Sequence, residues 1–232
     1  GAVLATLKKA VRPGITTKEL DALAYQLITA PGDTPAFLGY QPDGAAVPYP
    51  ATLCASVNDG VVHGLPGGRQ LAEGDIVKLD LGLIHKGYYV DAAVTVPVGK
   101  ISARTRKLVA VTEEALARAV KAARPGRTLG DIGHAVQEFV EANGFSVVRA
   151  LTGHGIGKDL HEDPAVYNFG TPGTGERLRP GMTLALEPMV NAGRPDVRQL
   201  KDDSFATKDG SWSAHFEHTV VITEKGAKIL TK

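Results

Sequence analysis

Apolar positions along the 232 residues recur with two periods, helical in some stretches and alternating in others, and the two kinds interleave from one end to the other. Ala2 to Val11 reads as a helix already under way at Gly1, so an earlier segment is expected; Arg12-Pro13-Gly14 breaks it. Thr16 with Glu19 three places on forms a capping box and opens a second helix. The proline- and glycine-rich stretch 31–50 reads as loop. Strand patterns follow at Leu53–Val57, at Val77, Leu79 and Leu81 alternating with Lys78, Asp80 and Gly82, and at Tyr88–Val96. A long helix is predicted from about Ser102 to Ala123. Another runs from Leu129 to Ala142, where Leu129, Ile132, Val136, Phe139 and Val140 keep a helical period and Asn143-Gly144 closes it. Strand-like stretches return at Val147–Leu151, Thr183–Leu186 and Phe216–Thr223. The class is α+β.

Composition narrows the picture. A 43% apolar fraction buries enough surface to offset chain entropy, which excludes a disordered chain. No run approaches the ~18 apolar residues of a membrane span, and no leader pattern is visible. A single cysteine, Cys54, excludes an internal disulfide framework and a cysteine-based zinc finger, so a cytoplasmic setting is expected. The net charge of +1 without a basic block gives no footprint for specific nucleic-acid binding.

The chain also carries an internal echo. Val11-Arg12-Pro13-Gly14-Ile15-Thr16 recurs as Ala123-Arg124-Pro125-Gly126-Arg127-Thr128, each ahead of an amphipathic helix. Leu71-Ala72-Glu73-Gly74-Asp75-Ile76-Val77 recurs as Leu178-Arg179-Pro180-Gly181-Met182-Thr183-Leu184, and with Gly74 laid on Gly181, Asp80 falls on Glu187. Asp91 before Val94 resembles Glu217 before Val220. One pseudo-symmetric domain over 1–232, built from repeats of about 1–110 and 111–232 with its site on the axis, is expected.

The repeat-equivalent carboxylates have metal-ligand character. A two-residue turn at His85-Lys86 would place Asp80 directly opposite Asp91, with Cβ atoms about 4.5–5.5 Å apart. Like charges that close call for a cation between them; a longer turn would slip the register and leave both solvated. Glu187 in Leu184-Ala185-Leu186-Glu187-Pro188 and Glu217 in Phe216-Glu217-His218 are charges inside apolar strands, expensive if unpaired. His154 lies among glycines in Gly153-His154-Gly155-Ile156-Gly157, where backbone can approach closely. This oxygen-rich set suits a pair of divalent ions such as Mn, Fe, Co or Zn, whose charge four carboxylates would balance. His85, His134 and His215 read as surface or satisfied imidazoles, His218 as structural, and Cys54 as a buried small residue or pocket wall with no base beside it.

At these residues the sequence resembles the bacterial type I methionine aminopeptidases, of the pseudo-two-fold "pita-bread" fold, in which two αβ repeats surround a central antiparallel sheet. The stretches that carry the resemblance are Ser56–Pro66, Lys78–Gly82, Thr152–Gly157, Leu160–Pro164, Leu186–Gly193 and Ser213–Thr219, and it extends from Gly1 to the C-terminus. It implies that Asp80, Asp91, His154, Glu187 and Glu217 hold two divalent ions, with Asp91 and Glu217 bridging. His63 and His161 match the family's two non-ligand active-site histidines. Further implications are hydrolytic release of an N-terminal methionine by a hydroxide held between the ions, Glu187 carrying the proton, and a small second residue. By motif position Phe37, Tyr40, Tyr49, Cys54 and Leu160, with His63 and His161, form the substrate pocket. The implied substrates are N-terminal peptides of nascent proteins, met by a monomer in transient association with the ribosome.

The chain departs from the family pattern in two further places. Gln41–Pro48 is longer than the usual link between Tyr40 and Tyr49, and Asp203 stands where a pocket tryptophan is usual, with Trp212 too near Glu217 to replace it. Two other readings compete. An Xaa-Pro aminopeptidase of the same fold would use the same five ligands but usually carries a large extra N-terminal domain; a non-catalytic binding module would be expected to have lost ligands.

Overall fold

The computed structural model describes residues 1–41 and 47–232. Four helices carry the amphipathic stripes read from the sequence: α1 (Ala2–Ala10), α2 (Thr17–Thr29), α3 (Ala103–Ala122) and α4 (Leu129–Ala142). Capping boxes open α2, through Thr16 and Glu19, and α4, through Thr128 and Asp131, so the first orphan N–H groups of each are satisfied locally. Leu4 and Leu7 of α1 and Leu20, Ala24 and Ile28 of α2 pack with Leu53, Val77, Leu79 and Val96 of the adjoining strands. Leu108, Val111, Ala115 and Ala119 of α3 and Ile132, Val136 and Val140 of α4 form a second core with Leu184, Leu186, Val190 and Val220. Each helix pair thus covers one side of a strand layer and leaves the opposite side free to build a site.

The first layer centres on the strand Ile76–His85. Tyr88–Pro97 pairs along one edge, and Cys54–Val57 and the two-residue strand Thr34–Pro35 pair along the other. The expected loop 31–50 therefore contains a short pairing, Thr34 with Ile84 and Pro35 with Leu83. The second layer orders its five strands Gly226–Ile229, His218–Thr223, Thr183–Leu186, Gly153–Gly155 and Glu162–Val166. Two three-stranded sheets flank them; Ser213–His215, Met189–Asn191 and Ser146–Val147 form one, and Val197–Gln199, Phe205–Thr207 and Gly60–Val62 the other.

Two expected strands change their bounds markedly. Val147–Leu151 contracts to Ser146–Val147, and the strand expected at Phe216–Thr223 begins only at His218, with a separate strand, Ser213–His215, before an interruption at Phe216-Glu217. The interruption has a physical role, because this segment changes partners there: Met189 faces His215, while Leu186 faces His218.

The hairpin register also differs from the expected one. Lys86 and Gly87 have φ of 50° and 78° and form the two-residue turn, so His85 faces Tyr88 and Gly82 faces Asp91. Two left-handed residues match a hairpin turn to the twist of its strands, and glycine is at ease there whereas a turn at His85-Lys86 would lack one. Asp80 pairs with Ala93, so it lies diagonally from Asp91 on the same face rather than directly across.

The two layers join along the strand Tyr88–Pro97 and the segment 215–219. Glu217 N–H donates to Ala93 O, Asp91 N–H donates to Thr219 Oγ1, and that hydroxyl donates back to Asp91 O. Thr95 Oγ1 donates to His215 O and accepts from His215 N–H. This seam fixes Asp91 beside Glu217. No helix among the described residues is long and apolar enough to cross a membrane.

Candidate metal centre and active site

Asp80 and Asp91 come from the first layer; His154 from the strand Gly153–Gly155, Glu187 from just beyond Thr183–Leu186, and Glu217 from the break in the seam. All five line one cavity of about 340 Å³. Donor atoms of Asp91, His154 and Glu217 lie within 4.8 Å of one another. His154 Nε2 is 3.7 Å from Glu187 Oε1. Asp80, Asp91 and Glu217 are buried, and Asp80 Oδ1, Asp91 Oδ1 and Glu217 Oε1 have no hydrogen-bond partner among the described residues.

Electrostatics make this cluster costly on its own. Burial pushes the Asp80, Glu187 and Glu217 carboxyls well above the usual range, and the neighbouring carboxylates push them further. Burial raises Asp91 as well. Such a set must bind protons or cations, and its orphaned oxygens, one imidazole and absence of thiolate suit a divalent ion of the harder or borderline kind. His154 is prepared for ligation: Nδ1 is 2.8 Å from Gly155 O, so it donates there and leaves the Nε2 lone pair toward the carboxylates. Gly153 permits the close strand approach, since a Cβ there would fall 2.3 Å from Ala185 O.

Two further imidazoles border the cluster. The His161 ring stacks edge-on to His154 with centroids 4.4 Å apart, and its Nδ1 is 2.6 Å from the Tyr40 hydroxyl. His63 closes the strand Gly60–Val62 with φ 59°, a left-handed backbone unusual for a side chain of its size, and meets Phe205 edge-on at 5.9 Å. Gly64 N–H donates to Ser56 Oγ and Gly64 O accepts from Ala55 N–H, which holds the His63 turn against its neighbouring strand. Burial lowers both imidazoles to about 4, so both rings are neutral at pH 7.

Beside the polar cluster, Phe37, Cys54 and Leu160 pack with Tyr40 and Tyr49 into an apolar wall of the same cavity. Phe37 and Tyr49 meet at right angles with centroids 6.4 Å apart. Burial pushes the Cys54 thiol up, away from a nucleophilic thiolate. Val47, Pro48, Lys201, Asp202 and Asp203 also line the cavity; of the longer link Gln41–Pro48, residues 42–46 lie outside those described. Asp203 thus stands at the cavity, while Trp212 packs against the core of α3 and α4.

Two buried groups escaped the sequence reading. His215, expected at the surface or satisfied, is 1% exposed, has neither ring nitrogen hydrogen-bonded among the described residues, and lies with Nε2 3.5 Å from Glu187 Oε2. Lys78, on the polar side of an alternating strand, is also 1% exposed and donates to Asn58 O at 2.8 Å. Their signal was parity: each sits two residues before a candidate ligand, Glu217 or Asp80. The other histidines behave as expected. His85 meets Asp33 and His134 meets Glu138 at the surface, and His218 Nδ1 is 3.1 Å from Thr231 Oγ1.

Comparison with known proteins agrees with this geometry. The family model for metallopeptidase family M24 matches residues 1–224. Methionine aminopeptidase 1 of Bacillus subtilis is 49% identical over 97% of this chain and 89% of its own. The crystal structure of methionine aminopeptidase from Thermotoga maritima superposes with a TM-score of 0.95 at 47% identity, covering 100% of this chain and 91% of that one. Prolidase from Pyrococcus furiosus shares the fold at a TM-score of 0.77 and 24% identity, and this chain covers only 60% of it. The architecture is the α+β pita-bread fold. With the family model matched from the first residue almost to the last, and with relatives close to half identical, the chain belongs to metallopeptidase family M24.

Proposed function

We infer that this chain is a metal-dependent methionyl aminopeptidase, releasing the N-terminal methionine of nascent proteins and peptides with a small second residue. The observation that carries the reading is the convergence of Asp80, Asp91, His154, Glu187 and Glu217, with orphaned carboxylate oxygens, beside an apolar pocket in one cavity. The names of its relatives support it. Identities of 41–49% to methionine aminopeptidases, against 24% to prolidase, weigh against an Xaa-Pro enzyme, and retention of all five donors weighs against a non-catalytic binding module.

The five donors, Asp80, Asp91, His154, Glu187 and Glu217, would hold two divalent ions, drawn from Mn, Fe, Co or Zn. Bound ions supply Lewis acidity and a water of lowered pKa. Glu187, at the edge of the cluster, accepts the proton of the attacking water and delivers it to the leaving nitrogen. His161, neutral beside His154, donates an N–H to the developing oxyanion. His63 hydrogen-bonds the substrate near the leaving nitrogen. Phe37, Tyr40, Tyr49, Cys54 and Leu160 take the methionine side chain, whose sulfur gains from aromatic contact.

The same reading takes residues 1–232 as one catalytic domain of two repeats, about 1–110 and 111–232. Support comes from the matching capping boxes at Thr16 and Thr128 and the matching isolated bridges Thr16–Gln70 and Thr128–Arg177. A cytoplasmic monomer that meets the ribosome transiently fits a substrate presented by nascent chains, without membrane or specific nucleic-acid partners. The test is release of methionine from Met-Ala-Ser before and after exhaustive chelation. Activity should vanish and return with Mn or Co; full activity in metal-free buffer overturns the reading, and preferential cleavage of an Ala-Pro peptide favours the Xaa-Pro alternative.

A further inference from the structure

His215 is a buried group beside the ion site that the mechanism above leaves without a task. Its backbone is clamped on both sides by the Thr95 hydroxyl, which accepts from His215 N–H at 2.9 Å and donates to His215 O at 2.7 Å. Its strand pairs it with Met189, two residues beyond Glu187. The ring is 1% exposed, and neither nitrogen has a hydrogen-bond partner among the described residues. A neutral imidazole always carries one N–H, and a buried donor left unpaired is costly, so such an atom calls for an explanation. The acceptor at hand is Glu187 Oε2, 3.5 Å from Nε2. That separation is an approach rather than a finished hydrogen bond, the long geometry expected where a contact tightens as a site assembles. Glu187 Oε1 faces His154 on the other side at 3.7 Å, so the carboxylate lies between two imidazoles.

We propose that His215 is a positioning residue that donates from Nε2 to Glu187 Oε2, turning that carboxylate so that Oε1 faces the ion site beside His154. This rests on the metal-dependent reading given above, and deepens it. The arrangement follows the general habit of ligating carboxylates, which are oriented by hydrogen bonds from residues that never touch the metal. It accounts for the rigid clamp at Thr95: a donor that sets a carboxylate's rotation must not itself swing. It also accounts for a polar ring inside a strand whose neighbours Ala214 and Phe216 belong to the apolar core.

The test is calorimetric titration of the chelator-stripped protein with Mn, for the wild type, His215→Leu and His215→Gln, with a thermal melt of each metal-free protein. Leucine fills the site without a donor; glutamine restores one N–H near the same place. His215→Leu should weaken Mn binding about 10- to 100-fold, and His215→Gln should recover most of the loss. The metal-free melting temperature of His215→Leu should equal or exceed that of the wild type, since an unpaired polar ring has been replaced by an apolar side chain. Unchanged Mn affinity in His215→Leu overturns the proposal, as does a lowered metal-free melting temperature with intact affinity. Should the leucine variant not fold, His215→Asn, one methylene shorter than glutamine, makes the same comparison, and equal Mn affinity of the asparagine and glutamine variants is the overturning result. The titration reads the ion site whatever the peptide substrate is, so failure of wild-type Met-Ala-Ser cleavage would sink the functional reading separately.

Discussion

The Tyr40 hydroxyl lies 2.6 Å from Nδ1 of His161, joining the segment before the longer link to the segment before the strand Glu162–Val166. A neutral imidazole has one acceptor and one donor nitrogen, and a phenol is protonated at neutral pH. With Tyr40 donating to Nδ1, the N–H of His161 resides on Nε2, on the opposite side of the ring. That tautomer is the one the proposed oxyanion contact needs. Tyr40→Phe frees the tautomer at the cost of one hydrogen bond, a loss of roughly 0.5–1.5 kcal/mol, so kcat should fall about twofold to tenfold. KM for Met-Ala-Ser should change little, because the phenyl ring still fills the pocket wall. A raised KM with unchanged kcat would make Tyr40 a wall residue alone.

Glu187 and His161 are assigned to the transition state. Glu187→Gln keeps the shape and removes the proton carrier; His161→Ala removes the oxyanion donor. Each should lower kcat by about 10²-fold or more while KM moves far less. Steady-state kinetics on Met-Ala-Ser with saturating Mn separates the two constants. A His161→Ala enzyme with wild-type kcat and raised KM would reduce that residue to a ground-state contact.

Much of this site was legible because charge inside an apolar strand is costly wherever it occurs. Glu187 and Glu217 announced themselves that way, and both line the cavity with the three other expected donors. The start of α2 followed from the capping box of Thr16 and Glu19, and the extent of α4 from its helical period and the Asn143-Gly144 stop. Register was harder: Lys86-Gly87 and His85-Lys86 are both two-residue candidates, and the left-handed preference of Gly87 decides between them. His215 and Lys78 were missed for a different reason. An alternating strand shows which residues share a face, but whether that face meets water or another layer depends on the second layer. Here the seam from Asp91 to Thr219 closes it.

Asp209 provides an acid-sensitive element away from the ion site. Its Oδ2 accepts from Arg194 N–H at 2.7 Å and its Oδ1 from Ser211 N–H at 3.0 Å. These bonds lower its carboxyl from 3.8 to about 2. A carboxyl depressed by folding contributes stability above its unfolded pKa, and that contribution fades as pH falls toward the folded value. Asp209→Asn should therefore melt below the wild type at pH 6, with the gap closing between pH 4 and pH 2. Thermal melts across that range check it; a constant gap at every pH would show that shape, not charge, holds the loop.

The first-residue pocket sets the last expectation. Its wall is Phe37, Tyr40, Tyr49, Cys54 and Leu160, and every one of these is apolar or turns a ring inward. A methionine side chain is flexible enough to fill such a wall, and its sulfur–aromatic contacts contribute about 0.3–1.5 kcal/mol. A charged first residue would lose its hydration there. Asp203, standing at the cavity where the family pattern has a bulky indole, should leave the pocket mouth more open and loosen selection among apolar residues without admitting charge. Shape alone separates near-isosteres by little, so norleucine should compete well with methionine. Met-Ala, Met-Gly and Met-Ser starts should be cleaved, Leu starts more slowly, and Lys or Glu starts not at all. Comparing kcat/KM for Met-Ala and Lys-Ala peptides of equal length decides it, and equal values would show that these five residues do not receive the first side chain.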